Sequence, residues 1–168
     1  GSGFRQYLAS FDFIFSDPIG ESPLGFAERK DHPISWNILD DLSNIGKIGV
    51  VRGYVNTEEF DRKAANGELK VEPVRNDATN LRKISARRIP MAVIDHHVMK
   101  YLLKTDPYLR DKKSLLQFNS KLLEKKKLYL CFRKGPQAEK LVKIFNQGLK
   151  KINVRKLTEA YFKKALSE

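Results

Sequence analysis

Cysteine occurs once in the 168 residues, at Cys131. An internal disulfide and a thiolate metal cluster are therefore excluded. Cys131 sits in the strand-like run from Leu128 to Lys134, which predicts a buried, inert thiol. Long apolar runs are also missing, so no membrane-spanning helix is predicted. No glycine-rich phosphate loop and no nucleophile elbow is present, and no histidine lies near Cys131 in sequence. The chain thus reads as a non-enzyme without a cofactor. No signal peptide is visible, and the opening Gly-Ser-Gly reads as a cloning remnant.

Acidic residues are scarce in one half only. Residues 100–168 hold 19 Lys and Arg against 6 Asp and Glu, while the rest hold 13 against 14. The whole excess behind the net charge of +12 lies in the last 69 residues. A basic half raises nucleic acid or an acidic membrane surface as partners. The lysines around Leu141, Ile144 and Phe145 fall between core positions, however, and no aromatic array interleaves them. Solvated helix faces are the preferred reading, with a basic nucleic-acid-binding domain as the outlying alternative. With 41% hydrophobic residues the chain has enough apolar material to fold, as one large domain or two small lobes.

Short apolar runs alternate with amphipathic stretches. Strands are predicted at Pro23 to Lys30, Lys47 to Val51, Leu69 to Val74, Met91 to Asp95, Leu115 to Phe118 and Lys127 to Lys134. A short helix is predicted around Ile38 to Leu42. Another follows Asn56, which forms a capping-box pattern with Glu59, and ends before Gly67 at C′. A third is capped by Asn76 or Asp77 and turns Leu81 and Ile84 inward. A fourth follows Asp95, with Val98, Tyr101 and Leu102 on one face. Two more close the chain: Leu141, Ile144, Phe145, Leu149 and Ile152 form a stripe on one, and Leu157 and Tyr161 start the next. The alternation predicts an α/β fold with a mostly parallel sheet and helices on both faces. Ligands of such sheets bind beyond the carboxyl ends of the strands.

Two places satisfy that rule. At Arg52-Gly-Tyr-Val-Asn56 a strand runs into a helix, whose N-terminal N–H groups suit an anion, and Gly53 permits close backbone approach. At Asp95 a strand ends on a carboxylate. It can cap the following helix or accept a ligand ammonium or guanidinium, and spacing alone favours the cap. His96 and His97 are adjacent, so they do not share one helix face as paired metal ligands do, and His32 reads as a loop residue. No metal site is predicted.

The stretches from Phe13 to Asp31, Asp40 to Tyr54, Ser85 to Val98 and Leu128 to Gly135, followed by a helix pair, together resemble the bacterial extracellular solute-binding proteins, family 3. The resemblance runs from about Phe13 onward. It implies a periplasmic-binding-protein-like fold, a periplasmic location, and a receptor that delivers a small polar solute to the membrane permease of an ABC-type importer. The solute would be an amino acid or a related amine-containing compound held between two lobes. The family's fold also serves as a sensor or accessory domain, the alternative role.

The resemblance further implies that this chain holds the complete second lobe and the C-terminal return to the first. Residues 1–24 would close the first segment of lobe one and form a hinge. Residues 25–127 would form lobe two, and 128–168 the second hinge strand and the last helices. The N-terminal half of lobe one would be absent, leaving its exposed face open to dimerisation.

Carried over by position, Asp95 matches the aspartate that binds a solute amino group, and Gly53 the glycine of the carboxylate-binding loop. Tyr54 and Val55 stand where amino-acid binders carry threonines, and Pro90 where they carry an aspartate. Asn56 completes the loop. Arg52 is a substitute anion partner or a solvated side chain. Arg5 is the one candidate for the family's carboxylate-clamping arginine.

Overall fold

The computed structural model of the chain describes residues 12–167. They form two compact units. One spans Pro23–Lys125, and the other joins the described residues up to Ser22 with those from Lys126 onward.

The first unit is built on a sheet with strand order β4-β3-β5-β2-β6. These strands are β2 (Gly20–Arg29), β3 (Ile48–Val51), β4 (Val71–Val74), β5 (Met91–Asp95) and β6 (Leu116–Phe118). β3 runs parallel to β4 and β5, as alternating strands and helices require. β2 runs antiparallel to both β5 and β6, so the sheet is mixed: its parallel part is β4-β3-β5. β7 (Glu124–Leu128) pairs with β2.

Successive residues of a strand face opposite sides, and both faces here are covered. Phe26, Ile48, Val50, Met91 and Val93 pack on one face with Trp36, Leu39, Leu42 and Phe60. Leu39 and Leu42 come from a 3-10 turn and Phe60 from α1 (Glu58–Ala65). Ala27, Ala92 and Ile94 pack on the other with Leu81 and Ile84 of α2 (Asp77–Ser85). Met99 and Leu103 of α3 (His96–Thr105) and Leu109 of α4 (Pro107–Arg110) join that layer. Each such side chain, fully buried, contributes roughly 1.5–3 kcal/mol. The buried stripe of α3 is thus Met99 and Leu103, while Val98 and Tyr101 point outward.

A polar knot fastens β2 to β6. Glu28 is buried, and its carboxylate accepts from Ile34 N, Gln117 Nε2 and Asn119 Nδ2 at 2.8–2.9 Å. Asn119 Oδ1 in turn accepts from Trp36 Nε1 and Lys121 N. Three donors on one buried carboxylate meet the condition under which a buried charge is tolerated.

The second unit contains β1 (Phe13–Phe15) paired antiparallel with β8 (Cys131–Arg133), then α5 (Ala138–Leu149) and α6 (Val154–Ser167). Phe132 packs on Phe145 with ring centroids 5.9 Å apart, and Asp17 N donates to Asn146 Oδ1. The predicted run from Lys127 to Lys134 divides into β7 and β8. Cys131 is exposed, contrary to the expectation of a buried thiol, because β8 has β1 alone as its sheet partner and no second layer over that residue. Leu141, Ile144, Ile152, Leu157 and Tyr161 are exposed as well. The apolar stripe of α5 is present as predicted, but among the described residues little covers it.

Candidate functional site

The carboxyl ends of β3 and β5 lie side by side in the first unit. The parallel register pairs Ile48 with Met91 and Gly49 with Ala92, so its continuation sets Arg52 level with Asp95. The two segments singled out in the sequence therefore stand at one edge of one sheet.

On the β3 side the chain turns at Gly53, whose φ of +81° favours glycine. Tyr54 N donates to Val51 O and closes the turn. Arg52, Tyr54 and Val55 are exposed. Asn56 is buried and does not cap α1. Thr57 does, accepting from Phe60 N. Asn56 is instead locked to Asp61: its N–H and its side-chain Nδ2 each donate to that carboxylate at 2.9 Å. The capping-box reading of Asn56 and Glu59 is thus displaced by one residue, since Thr57 supplies a hydroxyl at the position with extended backbone. Gly67 does end the helix region with φ of +75°.

On the β5 side Asp95 ends the strand and caps α3. Its Oδ1 accepts from His97 N at 2.7 Å and from Val98 N at 3.0 Å. The cap that spacing favoured is present, and it engages one of two carboxylate oxygens. Pro90 precedes the first residue of the strand, where its missing N–H breaks no ladder bond. His96 packs against Phe118 with centroids 4.6 Å apart. Burial pushes its pKa down, and Lys100 and His97 add to the effect while Asp95 opposes it. Among the described residues no group of His, Cys, Asp and Glu can hold a metal ion.

A residue that sequence reasoning treated as a cap candidate belongs to this edge. Asp77 opens α2, but Asn76 is the cap, accepting from Thr79 N. Asp77 is partly buried, and its pKa is raised to about 6, chiefly by burial and then by the charge of Asp95. Nothing in local spacing marks that closeness, because Asp77 and Asp95 lie in separate turns. Below them Asn80 is buried against Gly49, and its side-chain nitrogen and oxygen have no partner. Arg5 lies outside the described residues.

The geometry defines a sheet edge carrying carboxylates at two helix starts beside a glycine turn. The fold itself is that of the periplasmic amino-acid-binding proteins. An ancestral arginine-binding protein bound to arginine is similar over 94% of this chain and 66% of its own, with 20% identity and a TM-score of 0.65. An arginine transport-system periplasmic binding protein from Legionella pneumophila is similar over 92% and 68%, with 23% identity and a TM-score of 0.62. The GluR0 ligand-binding core in complex with L-glutamate is similar over 89% and 63%, with 16% identity and a TM-score of 0.67. The chain spans about two thirds of the length of these structures. These neighbours are binding proteins rather than enzymes. No family model matches the chain, and no curated protein does.

Proposed function

We propose that the chain is part of a periplasmic solute-binding receptor of an ABC-type importer, taking up an amino acid or a related amine-containing compound. The observation that carries this is the extent of the fold likeness: 92–94% of the chain is similar to proteins described as arginine-binding. A bound solute would place its ammonium at Asp95, where a charge-assisted hydrogen bond outweighs a neutral one. Gly53, Tyr54, Val55 and Asn56 would form the opposing loop. Arg52, level with Asp95, would meet an anionic group of the solute. The complete receptor would close its lobes over the solute and dock on a membrane permease. No described helix is long and apolar enough to cross a membrane.

A titration of L-arginine, L-glutamine and L-glutamate into the isotope-labelled chain, followed by NMR, tests the reading. Shifts centred on residues 52–56 and 95–98 that vanish in Asp95→Ala support it. An unresponsive sheet edge at millimolar concentrations of every probe overturns it.

Self-association belongs to the same proposal. Leu141 and Ile144 of α5 are 48% and 55% exposed, and burying them against a second copy removes apolar surface from water. Light scattering across a concentration series checks this, and a monomer throughout counts against it.

A further inference from the structure

Asp77 is a carboxylate at this edge that no helix cap uses. Among the described residues its carboxylate has no ion pair and no partner in another side chain. The charged and titratable groups on the neighbouring elements are Arg75 at the end of β4 and Asp95, His96, His97 and Lys100 at the start of α3. Of these, Asp95 is the one whose charge acts on Asp77, and it repels. A partly buried carboxylate held against a like charge disfavours the solute-free protein.

The loop across the edge favours the same sign of ligand. The first turn of α1 carries Glu58, Glu59 and Asp61. Asp61 already takes both the backbone and the side-chain N–H donors of Asn56. Those donors are turned onto the protein's own carboxylate and not toward an anionic solute.

We propose that Asp77 acts with Asp95 as a two-carboxylate receiver for the cationic head of the solute, a guanidinium or an ammonium, and that binding the cation expels a proton from Asp77 in weakly acidic solution. This rests on the receptor reading and adds to it a specificity-determining residue and a solute class. A cation lying against both carboxylates replaces repulsion with two charge-assisted contacts. Above pH about 6 Asp77 is ionised and affinity is level. Below that pH the site must lose a proton to bind, so the dissociation constant rises by up to about tenfold per pH unit.

Carboxyl-detected NMR of the 168-residue chain, titrated with agmatine, L-arginine and L-glutamate between pH 5 and 8, tests the proposal. Agmatine and L-arginine are expected to move the Asp77 and Asp95 resonances, with affinity falling below pH 6. Asp77→Asn is expected to weaken both at least fivefold at pH 7.5 and to flatten the profile. An ordinary Asp77 titration near pH 4 overturns the proposal whatever the probe. So does cation affinity, with its pH profile, that survives Asp77→Asn intact, or L-glutamate binding as tightly as L-arginine. If such binding still disappears in Asp95→Asn, the receptor reading stands and the role of Asp77 alone falls. If no probe moves the edge at any pH, both fall together.

Discussion

Asp77 links stability to pH at the scale of a single residue. Its pKa in the folded chain lies near 6, above the usual 3.8, so the folded state holds the proton more tightly than the unfolded chain. Stability then declines as pH rises from about 4 to about 6, and the penalty is complete above that window. After discounting for solvent screening, the penalty is about 1–2 kcal/mol. Chemical denaturation of Asp77→Asn should therefore show a gain of that size at pH 7.5 and almost none at pH 4. Gly49 poses the opposite case. A Cβ there would collide with Asn80 Oδ1 and meet Ile89 Cδ1 at 2.7 Å, so Gly49→Ala should cost about 1–3 kcal/mol in the same measurement. Neither effect is visible in the sequence. Gly49 sits in an ordinary apolar run, and the residues that crowd it arrive from α2 and the turn before β5. The Asp77–Asp95 repulsion likewise exists only once two βα turns are brought to one edge.

Helix starts are the elements where local sequence was most informative, and they also show its limit. Asn76 and Asp95 could be picked out as caps because short polar side chains before an apolar-periodic stretch satisfy the first free N–H groups. Asn56 misled because Thr57, one residue on, is an equally good cap, and Asp61 offered Asn56 a different bond. Asp95 supports two roles that substitutions can separate. Asp95→Asn keeps an oxygen for His97 N and Val98 N, so its melting temperature should stay close to that of the parent chain. Asp95→Ala removes the cap and should cost about 1 kcal/mol. Loss of solute binding in both variants, with loss of stability in the alanine variant alone, is the outcome expected of a residue that both caps and binds. At the far end of α2, Arg87 adopts φ of +59° where glycine is usual. Arg87→Gly relieves that conformation but gives up an exposed pair with Asp31, so equilibrium unfolding should register a small net gain, below about 1 kcal/mol.

Across the whole molecule, the two units differ in how well they are covered. The first has an apolar layer on each side of its sheet, while the second leaves Leu141, Ile144, Leu157 and Tyr161 exposed. Amide hydrogen exchange should consequently find the strongest protection in β3 and β5 and markedly faster exchange in β1 and β8. The α/β class and the order of elements were legible because strand and helix periods differ. The antiparallel course of β2 and β6 was not, since direction depends on pairing between segments far apart in the chain. The knot at Glu28 has the same origin, and it sets an order of events. Its carboxylate is satisfied by Gln117 and Asn119, the latter 91 residues downstream. At a synthesis rate of about 5–20 residues per second, roughly 5–20 seconds separate the making of Glu28 from the making of its partner. During that interval an ionised side chain destined for the interior must remain in water. Closure of β2 into the sheet is thereby deferred until β6 has left the ribosome, and the last strand to be added becomes the latch that commits the first.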